Sequence, residues 1–371
     1  MTTYQDRCQA LAVALAANVP VILWGPPGVG KTAVIEQIAA HHRWRLETVI
    51  ASICDPTDFK GLPHDAVGRT EFSPPDWAWA MEDAGGGVVF LDEISTAPPS
   101  VQAALLRPVL GRVVGSLVLP VETRFVAAAN PADIAAEGWE LSAPLANRFL
   151  HLDWDVSGQV VSQGFTYGFD PIDVPTPDPT AVEAHREELL RAIGAFLSAR
   201  PDLVHRMPDS SAEAGRAWPS PRSWEMGAIA LAWARSSQVS EAARALVLTA
   251  SVGVSAAREF LVWEQALDLP DIERLLAGED IALPKTPDKL LVVCGALVAA
   301  IKQNKSKARC DAAANRVLVA VCEQGHVDIA TVALRRIMPT VMKSGVVLSP
   351  EAVEHFADML DKMGKFGAGR R

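Results

Sequence analysis

Paired cysteines, a long apolar run and an excess of positive charge are all missing from this 371-residue chain. Its five cysteines, Cys8, Cys54, Cys294, Cys310 and Cys322, are scattered and odd in number, with no CxxC pair and no metal-ligand spacing. That excludes a disulfide framework and a cysteine zinc site, and it points to buried free thiols in a reducing compartment. The longest apolar candidate, LLVVCGALVAAI at 290–301, falls short of the roughly 18 residues that a membrane span requires. No membrane association is expected, and the chain reads as cytoplasmic. The stretch ALAVALAANV at 10–19 has the look of a signal-peptide core. It lacks a clearly basic flank and runs directly into a glycine-rich loop, so it is expected to be an amphipathic or buried helix. With 34 Lys and Arg against 44 Asp and Glu, the net charge of -10 argues against a protein that grips nucleic acid through its overall field. There is no internal repeat.

Five short apolar segments mark the first 155 residues: VPVILW (19–24), LETVIA (46–51), GVVFLD (87–92), RFVAAAN (124–130) and FLHLDW (149–154). Their length, their Val, Ile and Phe content and the helix-like stretches between them predict a mostly parallel sheet covered on both faces. Between 156 and 180 the pattern dissolves into Gly, Pro and Asp, which predicts a linker. Beyond it the chain reads as helices over 181–199, 221–235, 240–249, 256–267, 289–304, 310–323, 329–342 and 351–363, followed by a frayed basic tail. The expected division is an α/β nucleotide-binding domain over 1–155, a linker over 156–180, a helical lid over 181–267 and a C-terminal helical extension over 268–371.

The chemistry begins at LWGPPGVGKTAV, residues 23–34. Gly25, Pro26, Pro27, Gly28, Val29, Gly30, Lys31 and Thr32 fit G-x-x-x-x-G-K-[ST], after a strand and before a helix that continues through Ala33. In such a loop the glycines let backbone N–H groups turn inward around phosphates, and the helix amino terminus adds positive potential. Lys31 is expected to reach the β- and γ-phosphates of ATP, and Thr32 to ligate Mg²⁺. GVVFLDEIS ends a buried strand with two adjacent carboxylates: Asp92 for the Mg²⁺ shell and Glu93 to polarise the attacking water. FVAAANP ends a third strand in Asn130, whose amide could orient that water or touch the γ-phosphate. Taken alone, Asn-Pro after a strand is a turn signal; its place after the other two motifs favours the functional reading. Trp24 is expected to pack in the core beneath the loop. Ser220, as N-cap, and Pro221 predict a helix start that leaves Arg222 in its first turn, where the helix dipole does not favour a cation. A nearby anion would explain Arg222 better.

The ordered set GPPGVGKT, VVFLDE, FVAAANP, LANRF around Arg148 and SPRSW around Arg222 resembles the AAA+ ATPases. The segments DPTDFKGLP (55–63) and STAPPSVQAALLRPVLGRVVGSLVLP (95–120) resemble those of the MoxR branch. The resemblance covers residues 10–263. It implies a P-loop AAA+ domain with a five-stranded parallel sheet in the order 5-1-4-3-2, an all-α lid, and a homo-oligomeric ring, usually a hexamer, with ATP at each subunit interface. It also implies that Arg148 is an arginine finger acting in trans, with Arg107 and Arg112 as rivals, and that Arg222 touches phosphate in cis. In that branch the ATPase typically acts as a chaperone on a partner carrying a von Willebrand factor A-type domain. By the same resemblance the insert around 58–79 faces the ring axis, which makes Lys60, Arg69 and Phe72 candidate client contacts.

Two other classes compete with this reading. A nucleic-acid motor or restriction-type NTPase is opposed by the acidic total and by the lack of a DNA-binding module. A nucleotide-gated scaffold that never turns over is opposed by Glu93. After residue 268 no carboxylate pair and no Ser/His/Asp or Cys/His arrangement suggests a second catalytic centre.

Overall fold

The computed structural model describes residues 2–131, 138–169, 172, 174, 176–237, 239–267, 270, 272–279, 281–303, 306–344 and 348–357. Helix α1 (Tyr4–Ala16) is started by a Thr3–Asp6 capping box. Strand β1 (Val21–Trp24) runs into the glycine-rich loop and α2 (Lys31–His42), followed by β2 (Arg45–Ile50). A short α3 (Thr57–Lys60) leads into the hairpin β3 (Leu62–Asp65) and β4 (Thr70–Ser73), then α4 (Asp76–Asp83) and β5 (Gly87–Asp92). Next come α5 (Pro99–Gly111), a second hairpin β6 (Val113–Val114) and β7 (Leu117–Val118), β8 (Thr123–Ala129), α6 (Ala143–Ala146) and β9 (Leu150–Asp153).

The main sheet has the order β2-β5-β8-β1-β9, and every pairing in it is parallel. Counted along the chain, its five strands stand in the predicted 5-1-4-3-2 order. Strands β1 and β8 are buried along their whole length, as apolar runs in a sheet covered on both faces must be. Parallel strands carry all their carboxyl ends to one edge, so Trp24, Asp92 and Ala129 end together and the residues after them meet there.

The predicted linker contains α7 (Gly158–Tyr167), N-capped by Ser157 and without a buried residue. The helices α8 (Pro179–Ala199), α9 (Ser211–Ala214), α10 (Pro221–Ser236), α11 (Glu241–Val252) and α12 (Val254–Gln265) follow. Then come α13 (Ile272–Ala277), α14 (Pro287–Gln303), α15 (Lys307–Glu323), α16 (Val327–Ser344) and a helix over 350–357. The second half of the predicted last helix and the basic tail lie outside the described residues. None of the described helices is long and apolar enough to cross a membrane.

Two compact units divide the chain, Met1–Leu189 with Asp202–Leu261, and Leu190–Pro201 with Val262–Arg371. In the first, α1 packs on α10 and α11, and α11 also packs on β9, so these helices share a core with the sheet. Trp224 anchors this layer: it is 2% exposed, its indole N–H donates to the Leu203 carbonyl at 2.9 Å, and its ring meets Phe260 edge-on. The second unit has its own apolar core, with Leu290, Leu297, Leu318, Val321, Leu334 and Phe356 among its buried side chains.

Candidate active site

The loop after β1 is shaped by close approach and by left-handed backbone. Gly25 donates its N–H to the Ala129 carbonyl at 3.1 Å. A Cβ on Gly25 would stand 2.2 Å from the Trp154 carbonyl oxygen, so no larger residue fits. Gly28 and Gly30 have φ of +80° and +83° with nothing within 4 Å of a Cβ position, an open concave backbone of the kind that receives phosphate. Helix α2 begins directly after Gly30, with Thr32 and Ala33 exposed in its first turn and Pro26 and Pro27 exposed in the loop.

Lys31 is only 9% exposed, and its ammonium donates to Gly25 O at 2.6 Å, Pro26 O at 3.0 Å and Asn130 Oδ1 at 3.1 Å. Burial pushes its pKa below the ordinary lysine value, and the Asp92 carboxylate opposes that shift. Lys31 at the start of α2, Asn130 after β8 and Asp92 at the end of β5 are therefore brought together. Asn130 is itself held by its backbone N–H, which donates to Ser95 Oγ at 3.1 Å.

Glu93 follows Asp92 with a φ of +55°, a left-handed conformation uncommon for a residue with a side chain. Its backbone N–H donates to Asp92 Oδ1 at 2.9 Å, and its carboxylate Oε2 accepts from the Ser52 hydroxyl at 2.6 Å. Glu93 is exposed, Asp92 half-buried. An oxygen-rich set of Thr32 and Asp92 suits Mg²⁺, which takes few protein ligands and keeps water on its other positions.

Arg148 and Arg222 form a second group. Arg148 Nη1 donates to the Pro144 carbonyl, and its buried Nε has no partner among the described residues. Burial, and then the Arg222 charge, lower the Arg148 pKa, which puts the two guanidiniums within electrostatic reach in one chain. Arg222 is exposed in the first turn of α10, whose N-cap is Ser220 and whose N1 is Pro221. Of the rival arginines, Arg107 is exposed on α5, and Arg112 caps α5 with its Nε donating to Thr123 O at 3.4 Å.

The insert after α3 is a hairpin. Arg69 and Phe72 are exposed on it and Lys60 is exposed before it. The Phe72 carbonyl accepts from Ser116 N at 3.0 Å and Ser116 Oγ at 3.2 Å, which ties the two hairpins together.

Sequence reasoning did not single out Ser52, His151, Asn147 or Arg216. Trp24, expected as packing, is buried and also donates its indole N–H to His151 Nδ1 at 2.9 Å. The Arg216 guanidinium lies 4.3 Å from the centre of the Trp24 ring and pairs with Asp153. A Trp directly before the glycine loop was the one available signal.

Residues 20–149 match the family model for an AAA domain of the dynein-related subfamily. Over 140 residues the chain is 31% identical to the phenol regulator MopR of Acinetobacter guillouiae, which is 34% of this chain and 24% of MopR. It is 34% identical over 128 residues to the Psp operon transcriptional activator of Escherichia coli, covering 32% of this chain and 38% of that protein. The chain thus spans about a quarter of MopR and well under half of the Psp activator. A crystal structure of a candidate ATPase from Cytophaga hutchinsonii is similar at a TM-score of 0.43 and 14% identity, covering 70% of this chain and 88% of that one. With their parallel sheet, glycine loop and adjacent carboxylates, residues 20–149 form an AAA domain.

Proposed function

We propose that the protein is a Mg-dependent, MoxR-like AAA+ ATPase that works as a homo-oligomeric ring, usually hexameric in that branch, and remodels or chaperones a protein client. The observation that carries the ATPase reading is the convergence on Lys31, whose ammonium is shared between its own loop and Asn130 while Asp92 and Glu93 close the next strand end. In this reading the loop N–H groups and Lys31 hold the phosphates, and Lys31 exchanges its contacts with Gly25 O and Pro26 O for phosphate oxygens. Glu93 takes the proton of the attacking water, Asn130 orients that water, and Arg222 contacts phosphate in cis. Arg148 supplies positive charge to the neighbouring subunit's site. Thr32 and Asp92 are the residues that would hold Mg²⁺, whose contribution is neutralisation of phosphate charge. The client, as the resemblance implies, carries a von Willebrand factor A-type domain, and Lys60, Arg69 and Phe72 on the first hairpin are its candidate contacts.

The test uses three variants of the full chain. Glu93→Gln should lower ATP turnover by about 100-fold or more while nucleotide still binds, and Lys31→Ala should lose nucleotide binding. Mixing inactive Arg148→Ala with Lys31→Ala should restore turnover if Arg148 acts in trans. Full turnover by Glu93→Gln would overturn the assignment of the base. Co-purification with Glu93→Gln in ATP should recover a protein; recovery of nucleic acid, with turnover stimulated by DNA, would replace the client reading by a nucleic-acid motor.

A further inference from the structure

A run of buried hydrogen bonds leads from the strand beneath the glycine loop to the two arginines, and no step above uses it. Trp24, the last residue of β1, donates its indole N–H to His151 Nδ1 at 2.9 Å, and the rings lie at 12° to one another. An indole nitrogen can only donate, so Nδ1 is the accepting nitrogen and the imidazole proton is on Nε2. That nitrogen lies 2.9 Å from the Ala146 carbonyl and donates to it. The partners alone therefore set the tautomer. Protonating both nitrogens would place two donors head to head between His151 and Trp24. His151 is 7% exposed, and burial, helped by the Arg216 charge, holds its pKa down to about 3.

Ala146 ends α6, and the next residue, Asn147, accepts from the Ser220 hydroxyl at 2.8 Å through Oδ1. Ser220 caps the helix that carries Arg222. The 146–148 turn is thus tied on one side to the loop strand and on the other to α10, and Arg148 is its last residue.

We propose that His151 is a positioning residue for the ATPase reaction: through Trp24 and Ala146 it fixes the turn that bears Arg148 to the strand that bears the glycine loop. The inference rests on the reading that Arg148 acts in phosphoryl transfer. Losing both bonds lets the turn shift, and a displacement of about 1 Å at a reacting group can cost on the order of 100-fold in rate. Nucleotide affinity, set by the loop itself, should hardly change.

The experiment measures kcat and ATP affinity for His151→Leu, His151→Gln, Arg148→Ala and the His151→Leu/Arg148→Ala double variant. Leu fills the space without hydrogen bonds. The Gln amide can accept from Trp24 and donate to Ala146. His151→Leu should lose about 10-fold or more in kcat with affinity within about 3-fold. His151→Gln should recover most of it, and the double variant should be no slower than Arg148→Ala. Equal kcat for Leu and Gln, or losses that multiply in the double variant, would overturn the proposal. Full activity of Arg148→Ala would sink the assignment of Arg148 and this inference with it. Loss in Arg148→Ala without loss in His151→Leu would sink the inference alone. If His151→Leu does not fold, Trp24→Phe removes the donor and keeps a ring, and the same comparison with His151→Gln decides.

Discussion

The Ser52 hydroxyl donates to Glu93 Oε2 at 2.6 Å, across the ends of two neighbouring parallel strands. The register makes the meeting unavoidable: Ile50 on β2 is paired with Asp92 on β5, so the turns that follow lie side by side. A hydroxyl on a carboxylate is a short, charge-assisted bond, and it directs a side chain whose backbone is already held in the left-handed region. If Glu93 is the base, as proposed, Ser52→Ala should lower ATP turnover by about 3- to 10-fold, because that carboxylate is no longer held in one orientation. Nucleotide affinity should stay within about 2-fold, and Ser52→Thr should retain turnover; steady-state kinetics beside a binding titration decides.

Gly25→Ala should damage both folding and binding. Its new methyl would meet the Trp154 carbonyl, a backbone atom that cannot yield without moving the end of β9. Overpacking of this kind costs about 1–3 kcal/mol, so a lower Tm and weaker ATP binding are expected together. Gly28→Ala meets no atom within 4 Å and bears only the left-handed strain of its φ of +80°, about 1–2 kcal/mol. Thermal melts of the two variants should separate steric from conformational cost: a Gly25→Ala protein that melts and binds like wild type would show that the loop can shift away from β9.

Acid should weaken the protein through His151. Its folded pKa of about 3 lies below the ordinary histidine value of 6.5, so the unfolded chain binds more protons between those two values. Stability is therefore greatest above about pH 6.5 and falls as pH drops toward 3. In His151→Gln nothing titrates at this position, and the fall in Tm between pH 7 and pH 5 should be smaller than in the wild type. An identical fall in both would show that His151 is not buried in its neutral form.

The sheet was legible because its strands are short segments with apolar centres, β1, β5 and β8 above all, and because the proposed site residues follow the ends of those three. Lys31 announces itself at the end of the glycine loop, and Asp92 and Asn130 at or just after strand ends, in that order along the chain. Ser52 and His151 gave no such signal. A serine after an edge strand reads as a turn residue, and a histidine inside FLHLDW reads as an interruption of an apolar run. The helix inside the predicted linker, α7, was hidden because none of its side chains is buried, and Gly158 and Gly164 leave its helical pattern weak.

The amino-acid sequence by itself determined that a nucleotide loop, a carboxylate pair and a polar strand end occur in one order on one kind of sheet, since these depend on local spacing and on backbone preferences of Gly, Pro and apolar runs. Tertiary structure alone decided that Ser52 holds Glu93, that Trp24 fixes the proton of His151, and that Ser220 joins the Arg222 helix to the Arg148 turn. Those pairs lie 41, 127 and 73 residues apart. A hydrogen bond depends on distance and direction, and over such separations only the register of the strands and the packing of the helices supply them.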